Sequence, residues 1–381
     1  MVMIDSPFSY IWQRPDWPEW RYELRKLMPL LSAIHRETGV LEGRMHEVGF
    51  DVRRALQLSA LSDEVLKSNE IEGEKLDKAS VRSSITRRLG IDLAALPVPD
   101  RYVDGMVAMM LDATTYDAIS LTAERLKAWQ SALFPTGYSG ILKITIGEWR
   151  DDHEGPMQVV SGPIERRKVH FEAPPAALLA DEIKRFLVWF NTEDTADPLI
   201  RAGLAHLWFI TLHPFDDGNG RVARAIGDRA RSQAEQTSIR YYSFSAQIQR
   251  EREGYYAQLE RAQKGDMEVT AWLEWFLGCL LRAVQSANAE VSVALAKARY
   301  WGQWSSLPLS ERQTRLMNRL LEGCEGKLTT TKWAAIAKCS HDTALRDIQE
   351  LMKWGVLIRS ESGGRSASYQ LNNKKPDPQD C

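Results

Sequence analysis

The segment His213-Pro-Phe-Asp-Asp-Gly-Asn-Gly-Arg-Val-Ala-Arg224 joins two stretches that are both predicted to be helical. The stretch before it, Leu199 to Leu212, is strongly apolar and is expected to form a buried helix at the centre of the fold. Gly218 and Gly220 permit a tight turn, and a second helix is expected to begin at about Arg221. The segment therefore presents backbone amides at the N-terminus of a helix.

The residue types in this loop favour binding of a polyphosphate. Backbone N–H groups of a glycine-rich turn at a helix N-terminus bind phosphate, and the helix dipole adds to the attraction. Arg221 and Arg224 lie three residues apart on one side of the first helical turn, so both guanidinium groups can bind the same polyphosphate. Asp217 is the candidate ligand for a Mg²⁺ ion that bridges phosphate oxygens. His213 is the candidate general base, because an imidazole accepts a proton near neutral pH.

Each of these residues, taken alone, also fits a structural role as a helix cap, a turn residue or a solvated side chain. The combination is far more specific. Eight positions match the HxFx(D/E)GNGRxxR signature of the Fic family of AMP transferases, namely His213, Phe215, Asp217, Gly218, Asn219, Gly220, Arg221 and Arg224. On these residues the sequence resembles a Fic protein.

The resemblance implies a mainly α fold, with a helical Fic core, a β-hairpin flap and a phosphate-binding turn that includes Gly218 and Gly220. It implies Mg-ATP as cosubstrate and transfer of AMP to a Ser, Thr or Tyr hydroxyl of a protein, with the chain itself as one potential target. His213 would deprotonate that hydroxyl, and Asp217 would bind the metal. Asn219 and Arg221 would bind the α- and β-phosphates, and Arg224 the γ-phosphate.

A second segment, Ser68-Asn-Glu-Ile-Glu72-Gly73, matches the (S/T)xxxE(G/N) pattern of the family's inhibitory helix, expected here at about residues 62–76. A Glu72 carboxylate paired with Arg224 would occupy the guanidinium that the γ-phosphate needs. ATP would then bind with its α-phosphate turned away from in-line attack. The ordinary alternative for this segment is an exposed acidic helix. In some relatives the same glutamate positions water for removal of AMP, a role that the sequence leaves open.

Two further segments are assigned to the site by resemblance. Short β-prone pieces within residues 141–172 predict a hairpin. In it, Gln158-Val-Val-Ser-Gly162 resembles the flap that pairs with a target peptide beside the histidine. The candidate nucleotide-binding residues of the flap are Val159, Val160, Ser161 and Gly162. Three others lie where relatives contact the nucleotide, namely Tyr255, Tyr256 and Gln263, although helix packing explains one of the tyrosines almost equally well.

The rest of the sequence predicts three parts, at residues 1–100, 101–300 and 310–373, with a boundary near residues 302–310 where Gly, Ser and Pro cluster. Trp12-Gln-Arg-Pro-Asp-Trp-Pro18 resembles the N-terminal region of many bacterial Fic proteins and is expected to pack against the core. The last part is predicted to contain three helices and two strands, which describe a winged helix-turn-helix. These elements are Glu311 to Leu321, Thr330 to Lys338, His341 to Trp354, Val356 to Arg359 and Ala367 to Leu371.

This last part raises the main alternative, a DNA-binding regulator. Between Lys327 and Lys375 there are nine Lys/Arg and four Asp/Glu residues, a local net charge of +5. His341 to Ile348 would be the recognition helix, and Arg365 would lie on the wing. Winged helices also serve as protein-docking or dimer modules, so DNA, a protein partner and a homodimer all stay open. Among enzymes, the alternative is transfer of UMP, phosphate or phosphocholine.

Composition and charge bear on the cellular location of the protein and on its partners. The 381 residues carry a formal net charge of −2, which gives no overall attraction to nucleic acid or membranes. The N-terminus has charged residues before any long apolar stretch, and the most apolar later segment, Ala271 to Val284, is interrupted by Glu274 and Arg282. Four scattered cysteines form no metal-binding or disulfide pattern, namely Cys279, Cys324, Cys339 and Cys381. We therefore expect a cytoplasmic protein without a membrane partner.

Overall fold

The computed structural model describes residues 8–90, 97–115, 119–163, 166–192, 196–321, 323, 327–360 and 367–372. Within them the chain is mainly helical, as predicted. The chain divides into two compact units, Met1–Asn288 and Ala289–Cys381. The N-terminal helices thus belong to the same unit as the predicted core. The division falls inside a helix rather than near residues 302–310, because helical structure continues to Gln303.

The first unit begins with a 3₁₀ turn and five helices. These elements are Ile11–Gln13, α1 (Leu24–Glu47), α2 (Phe50–Ile71), α3 (Lys78–Arg88), α4 (Arg101–Thr114) and α5 (Ala123–Leu133). Short polar side chains start three of these helices by accepting a backbone N–H in the first turn: Asp77, Asp100 and Thr122.

Two antiparallel hairpins and six helices follow. They are β1 (Tyr138–Ser139), β2 (Leu142–Lys143), β3 (Gln158–Ser161), β4 (Lys168–Glu172), α6 (Ala176–Asn191), α7 (Pro198–Leu212), α8 (Asn219–Glu235), α9 (Phe244–Arg250), α10 (Arg252–Gln263) and α11 (Thr270–Gln303). The β3–β4 pair is the predicted hairpin, with a register shift between Val159 and Val160. The small β1–β2 pair was not predicted.

Helices α7 and α8 form the centre of this unit. Arg201 is half-buried, and the other residues of α7 from Leu199 to Leu212 are all buried, as the apolar sequence predicts. Helix α8 begins at Asn219, two residues before the predicted start at Arg221. Gly218 stands at its N-cap with φ of +89°, and a Cβ there would lie 2.9 Å from the Leu133 side chain, so the position requires glycine.

The N-terminal segment is attached to the core by specific polar contacts. The Trp12 indole N–H donates to the Glu172 carbonyl at 2.8 Å, and Trp17 donates to Glu182 at 2.8 Å. On α2, the buried Glu64 carboxylate accepts hydrogen bonds from Ser243 Oγ at 2.8 Å and from the Ser245 backbone N–H at 3.1 Å. A buried carboxylate requires such partners, which explains why these helices do not form a separate unit.

Helix α2 ends earlier than the inhibitory helix expected at about residues 62–76. Its last residue is Ile71, and Gly73 follows with φ of +86°. The N–H of Gly73 donates to the Glu70 carbonyl and that of Glu74 to the Asn69 carbonyl, both at 3.0 Å, which is the Schellman pattern of a helix end. Glu72 therefore lies in the terminating turn of α2.

The second unit contains α12 (Glu311–Leu321), α13 (Thr330–Ala337), α14 (His341–Lys353), β5 (Leu357–Arg359) and β6 (Tyr369–Leu371). The order of three helices and an antiparallel pair is the predicted one, and Trp333, Ile348 and Val356 lie in its apolar core. Gly363, Gly364 and Arg365 lie outside the described residues. Binding of DNA or a partner by this unit stays a prediction.

The described residues contain neither a membrane-spanning helix nor a metal-binding cluster of side chains. None of the helices there has the length and apolar character needed to cross a membrane. In the same residues, His, Cys, Asp and Glu side chains form no group of three or more that would hold a metal ion by itself. Cys279 is a free, buried thiol and Cys339 a free, half-buried one, whereas Cys324 and Cys381 are outside the described residues.

The buried His206 makes stability depend on pH. Its Nε2 lies 2.8 Å from Tyr255 Oη, and burial lowers its pKa to about 3. Because the unfolded chain binds a proton near pH 6.5 and the folded chain does not, the free energy of unfolding falls as the pH drops below 6.5. Between pH 7 and pH 5, His206→Gln should lose about 2 kcal/mol less than the unsubstituted chain in urea unfolding. His46→Gln, at an exposed position, is the control, and equal losses in all three proteins would contradict this account.

Candidate active site

The loop between α7 and α8 is closed by one side chain. Asn219 Oδ1 accepts a hydrogen bond from the Phe215 N–H at 2.9 Å, and its Nδ2 donates to the Phe215 carbonyl at 2.7 Å. Both residues are buried, and Phe215 packs on Trp149 with ring centroids 5.0 Å apart. The Asn219 side chain is therefore used inside the loop. Binding of a phosphate by Asn219 stays a prediction, for which its backbone N–H is the group not used in these two contacts.

Arg150 fixes the other end of the loop. Its Nε donates to the His213 carbonyl at 2.8 Å, and its backbone N–H donates to the Pro214 carbonyl at 2.9 Å. A second guanidinium nitrogen donates to Asp152 at 2.7 Å. Arg150 is buried, so these contacts set the path of the chain as it leaves α7. Arg150 was not predicted as a site residue, because nothing in its local sequence distinguishes it.

His213 leaves α7 in a left-handed conformation, with φ of 47° and ψ of 55°. Its Nδ1 lies 3.2 Å from the Ile210 carbonyl, so Nδ1 carries the proton and Nε2 retains its lone pair. Burial lowers the pKa of His213 to about 4; the Arg150 charge acts in the same direction, whereas the hydrogen bond to Ile210 opposes it. The imidazole is neutral at pH 7, as a general base must be.

The predicted partner of Glu72 is in place. Arg224 Nη2 donates to Glu72 Oε1 at 2.7 Å and to the Ser68 carbonyl at 2.8 Å, and Arg224 Nε donates to Ser68 Oγ at 2.9 Å. Arg224 is buried and Glu72 is 28% exposed. Ser68 is also buried, which the alternative of an exposed acidic helix does not allow.

The Glu72 carboxylate occupies the space above the N-terminus of α8. Gly220 lies in the first turn of that helix, and a Cβ added to it would overlap Glu72 Oε1. Beside this position, Arg224 Nη1 is buried and finds no hydrogen-bond acceptor among the described residues. A carboxylate thus stands where a helix N-terminus and an arginine favour an anion.

Arg221 is held differently from Arg224. Its Nη1 donates to Glu74 Oε2 at 2.9 Å and to Tyr102 Oη at 2.8 Å, and its guanidinium lies 5.0 Å from the centroid of the Phe134 ring. The side chain is 1% exposed. Glu74 and Tyr102 were not predicted as site residues. Glu74 stands two residues beyond Glu72, which is the one local signal that it belongs to the site.

Asp217 lies on the open side of the loop, 39% exposed. One carboxylate oxygen accepts the Ser139 hydroxyl from the β1–β2 hairpin, and the other accepts the Gly218 N–H at 2.5 Å and lies 3.7 Å from Arg221 Nη2. A single carboxylate suits Mg²⁺, which usually binds one or two protein carboxylates together with substrate phosphates and water. The metal site stays a prediction.

The flap residues lie on the hairpin, which is attached to α10. Val159 is half-buried, Val160 and Ser161 are exposed, and Gly162 turns the chain with φ of +88°. Ser161 Oγ lies 2.5 Å from His170 Nε2, and His170 Nδ1 lies 2.7 Å from Glu260 Oε2 on α10. Binding of a nucleotide or target peptide by this hairpin stays a prediction.

The three residues expected to contact the nucleotide differ in position. Tyr255 is buried and its hydroxyl lies 2.8 Å from His206 Nε2, which is the position of a core residue. Gln263 is also buried and lies 3.5 Å from the Ile210 carbonyl. Tyr256 is 39% exposed, and its hydroxyl lies 3.3 Å from the Ile71 carbonyl, beside Glu72. Contact of these residues with a nucleotide stays a prediction.

The fold and the site together define a class: a helical protein whose central glycine turn presents a neutral histidine, an aspartate and two buried arginines at a helix N-terminus. Residues 120–230 match the model of the Fic/DOC family, and residues 10–91 match that of a domain of unknown function, DUF4172. With the complete signature in place, residues 120–230 form a Fic/DOC family domain.

Curated relatives carry an activity in their names. The protein adenylyltransferase Fic of Drosophila yakuba is 25% identical over 210 residues, which are 51% of this chain and 34% of the relative. The Drosophila melanogaster protein of the same name is also 25% identical, over 51% of this chain and 35% of its own length. The match therefore spans about a third of these relatives.

Two solved structures share the fold. A Fic family protein from Desulfovibrio desulfuricans G20 covers 91% of this chain and 96% of its own, with a TM-score of 0.52 and 20% identity. Fic-1 (aa134–508) from C. elegans covers 72% of this chain and 76% of its own, with a TM-score of 0.50 and 19% identity. At these identities the similarity shows the fold alone.

Closure of the loop by Asn219 predicts a large effect of substitution. Asn219→Ala removes both hydrogen bonds and leaves the buried N–H and carbonyl of Phe215 without partners. We expect a loss of about 2 to 4 kcal/mol in the free energy of unfolding, measured by urea denaturation. Asn219→Asp restores only the acceptor and should recover part of this loss. Wild-type stability in Asn219→Ala would contradict the proposed role.

Proposed function

We propose that this chain is a protein adenylyltransferase, which transfers AMP from ATP to a Ser, Thr or Tyr hydroxyl of a protein. The observation that carries the proposal is the combination of His213, whose Nδ1 lies 3.2 Å from the Ile210 carbonyl, with the N-terminus of α8 and two buried arginines. The names of the curated relatives, protein adenylyltransferase Fic, support the same reaction.

The proposed reaction uses His213 as the general base. The target hydroxyl gives its proton to Nε2 while its oxygen attacks the α-phosphorus of ATP, and the bond from that phosphorus to the pyrophosphate oxygen breaks. Nδ1 keeps its proton throughout and donates it in a hydrogen bond to the Ile210 carbonyl, which fixes the ring orientation. Arg150 holds the backbone of His213 and so keeps the base in place.

The phosphates are proposed to lie over the start of α8. The backbone N–H groups there, Arg224 Nη1 and Arg221 Nη2 would stabilise negative charge without reorganising, because the loop is already closed by Asn219. Asp217 would hold Mg²⁺, which when bound supplies positive charge to the phosphate oxygens. The space above Gly220 is where the γ-phosphate and the Glu72 carboxylate would compete.

This competition is the proposed inhibition. Glu72 satisfies the buried Arg224 guanidinium and stands at the helix N-terminus, so a γ-phosphate must displace it or bind elsewhere. A carboxylate and a phosphate carry like charge and cannot share the position. The structure as it stands therefore corresponds to an inhibited state under this proposal.

Removing the carboxylate should raise transfer. We expect Glu72→Gly to increase the rate of AMP transfer from labelled ATP by about ten- to a hundredfold, the range that corresponds to one charge-assisted hydrogen bond of about 1.5 to 3 kcal/mol. The measurement is incorporation of label into the protein itself and into cell lysate, followed by mass spectrometry of the modified residues.

Two further variants make the result specific. Glu70→Gly lies in the same helix end but pairs with Lys67, so it should leave transfer unchanged. Glu72→Gly/His213→Ala should abolish the labelling. An unlabelled Glu72→Gly protein would remove the adenylyltransferase proposal, and equal labelling of the Glu70 and Glu72 variants would remove the inhibitory role of Glu72.

The low pKa of His213 predicts an unusual pH profile. A histidine with its ordinary pKa of about 6.5 would keep only about a quarter of its base form at pH 6. His213, with a pKa of about 4, stays neutral at that pH. Single-turnover transfer by Glu72→Gly at saturating Mg-ATP should therefore differ by less than about twofold between pH 8 and pH 6. A half-maximal rate near pH 6.5 would contradict this assignment of the base.

A further inference from the structure

We propose that Glu74, together with Tyr102 and Asn69, positions Arg221 so that one end of its guanidinium faces the nucleotide phosphates. This inference rests on the proposed function and adds a positioning role for a second acid beside Glu72. The two carboxylates stand on either side of Gly73, and they contact different arginines of the same helix.

Three oxygens surround one nitrogen of Arg221. Nη1 lies 2.9 Å from Glu74 Oε2, 2.8 Å from Tyr102 Oη and 3.5 Å from Asn69 Oδ1. The Tyr102 hydroxyl in turn donates to the Glu74 carboxylate and lies 3.2 Å from Asn69 Oδ1. The cluster thus joins α2, the turn after it and α4 to the first turn of α8.

Because the guanidinium of Arg221 is planar, the contacts of Nη1 also set the direction of Nη2. Because Nη1 is fixed and the Phe134 ring lies 5.0 Å from the guanidinium carbon, the direction of Nη2 is also fixed. Nη2 lies 3.7 Å from Asp217 Oδ1, on the side of the proposed metal and phosphates. Arg221 therefore offers Nη2 to a ligand while Nη1 stays bonded to the protein.

The buried positive charge of Arg221 explains why a carboxylate, that of Glu74, is needed beside it. Arg221 is 1% exposed, and a buried guanidinium requires a counter-charge. Asp217 Oδ1 already lies 3.7 Å from Arg221 Nη2, and without Glu74 the arginine would be drawn into a closer ion pair with this carboxylate. That pair would occupy both the cation meant for phosphate and the carboxylate proposed to hold Mg²⁺. Glu74 opposes this shift by holding Nη1 at the other end of the guanidinium, at 2.9 Å.

The position of Glu74 argues against a second inhibitory carboxylate. Glu72 fills the space above Gly220, whereas Glu74 contacts the end of Arg221 opposite to Asp217. Its backbone is also fixed, since its N–H closes the end of α2 on the Asn69 carbonyl at 3.0 Å. Glu74 can therefore stay in place when a nucleotide binds.

The test compares nucleotide binding in the Glu72→Gly background, with and without Glu74→Gln. Isothermal titration calorimetry with Mg²⁺ should show ATP binding weakened by about tenfold or more by Glu74→Gln, while AMP, which lacks the β- and γ-phosphates, changes by less than about twofold. The KM for ATP should rise accordingly. Tyr102→Phe, which keeps the acid, should give a smaller loss in the same direction, and Glu74→Asp should restore part of the affinity.

The outcomes separate this inference from its alternatives. A general structural role would weaken ATP and AMP alike and would overturn the proposal, as would unchanged ATP affinity. Raised transfer on introducing Glu74→Gln into the otherwise unsubstituted chain would also overturn it, because Glu74 would then act as a second inhibitor. If Glu72→Gly alone neither binds ATP nor transfers AMP, the proposed function itself has failed. Glu70→Gln is the control for charge removal on this helix end.

Discussion

The buried guanidinium of Arg224 is the constraint on which the rest of the first unit depends. An arginine side chain in the core must find acceptors and a counter-charge, and here Ser68 and Glu72 supply both. The end of α2 is therefore held against the start of α8, and the N-terminal helices become part of the core unit. An anion that replaces Glu72 would pair with the Arg224 guanidinium. This guanidinium is already buried in the folded protein, so binding of the anion does not have to remove it from water.

The loop between α7 and α8 is held by hydrogen bonds within the protein, and few of its groups remain for a ligand. Asn219 and Arg150 hold the backbone at Phe215 and His213 through contacts that do not involve Glu72. Under the proposed function, inhibition and activity then differ chiefly in which anion lies above Gly220. A preorganised site of this kind stabilises charge without rearrangement of the loop during the reaction.

Local patterns predicted those parts of the fold that depend on neighbouring residues. The apolar run of α7, the glycine turn and the order of elements in the second unit are local properties, and the structure contains them. The sequence did not reveal that Asn219 faces inward or which of Tyr255 and Tyr256 lies in the core, because both depend on packing. Glu74 and Tyr102 contact Arg221 although more than a hundred residues of sequence separate them from it. Sequence periodicity does not predict contacts between such distant residues.

A crystal structure of the Glu72→Gly protein with Mg²⁺ and a non-hydrolysable ATP analogue tests the central claim most directly. The account predicts a triphosphate over the first turn of α8, in contact with Arg224, with the α-phosphorus open on the side of His213 Nε2. A triphosphate bound elsewhere, or with its α-phosphorus facing away from His213, would contradict it.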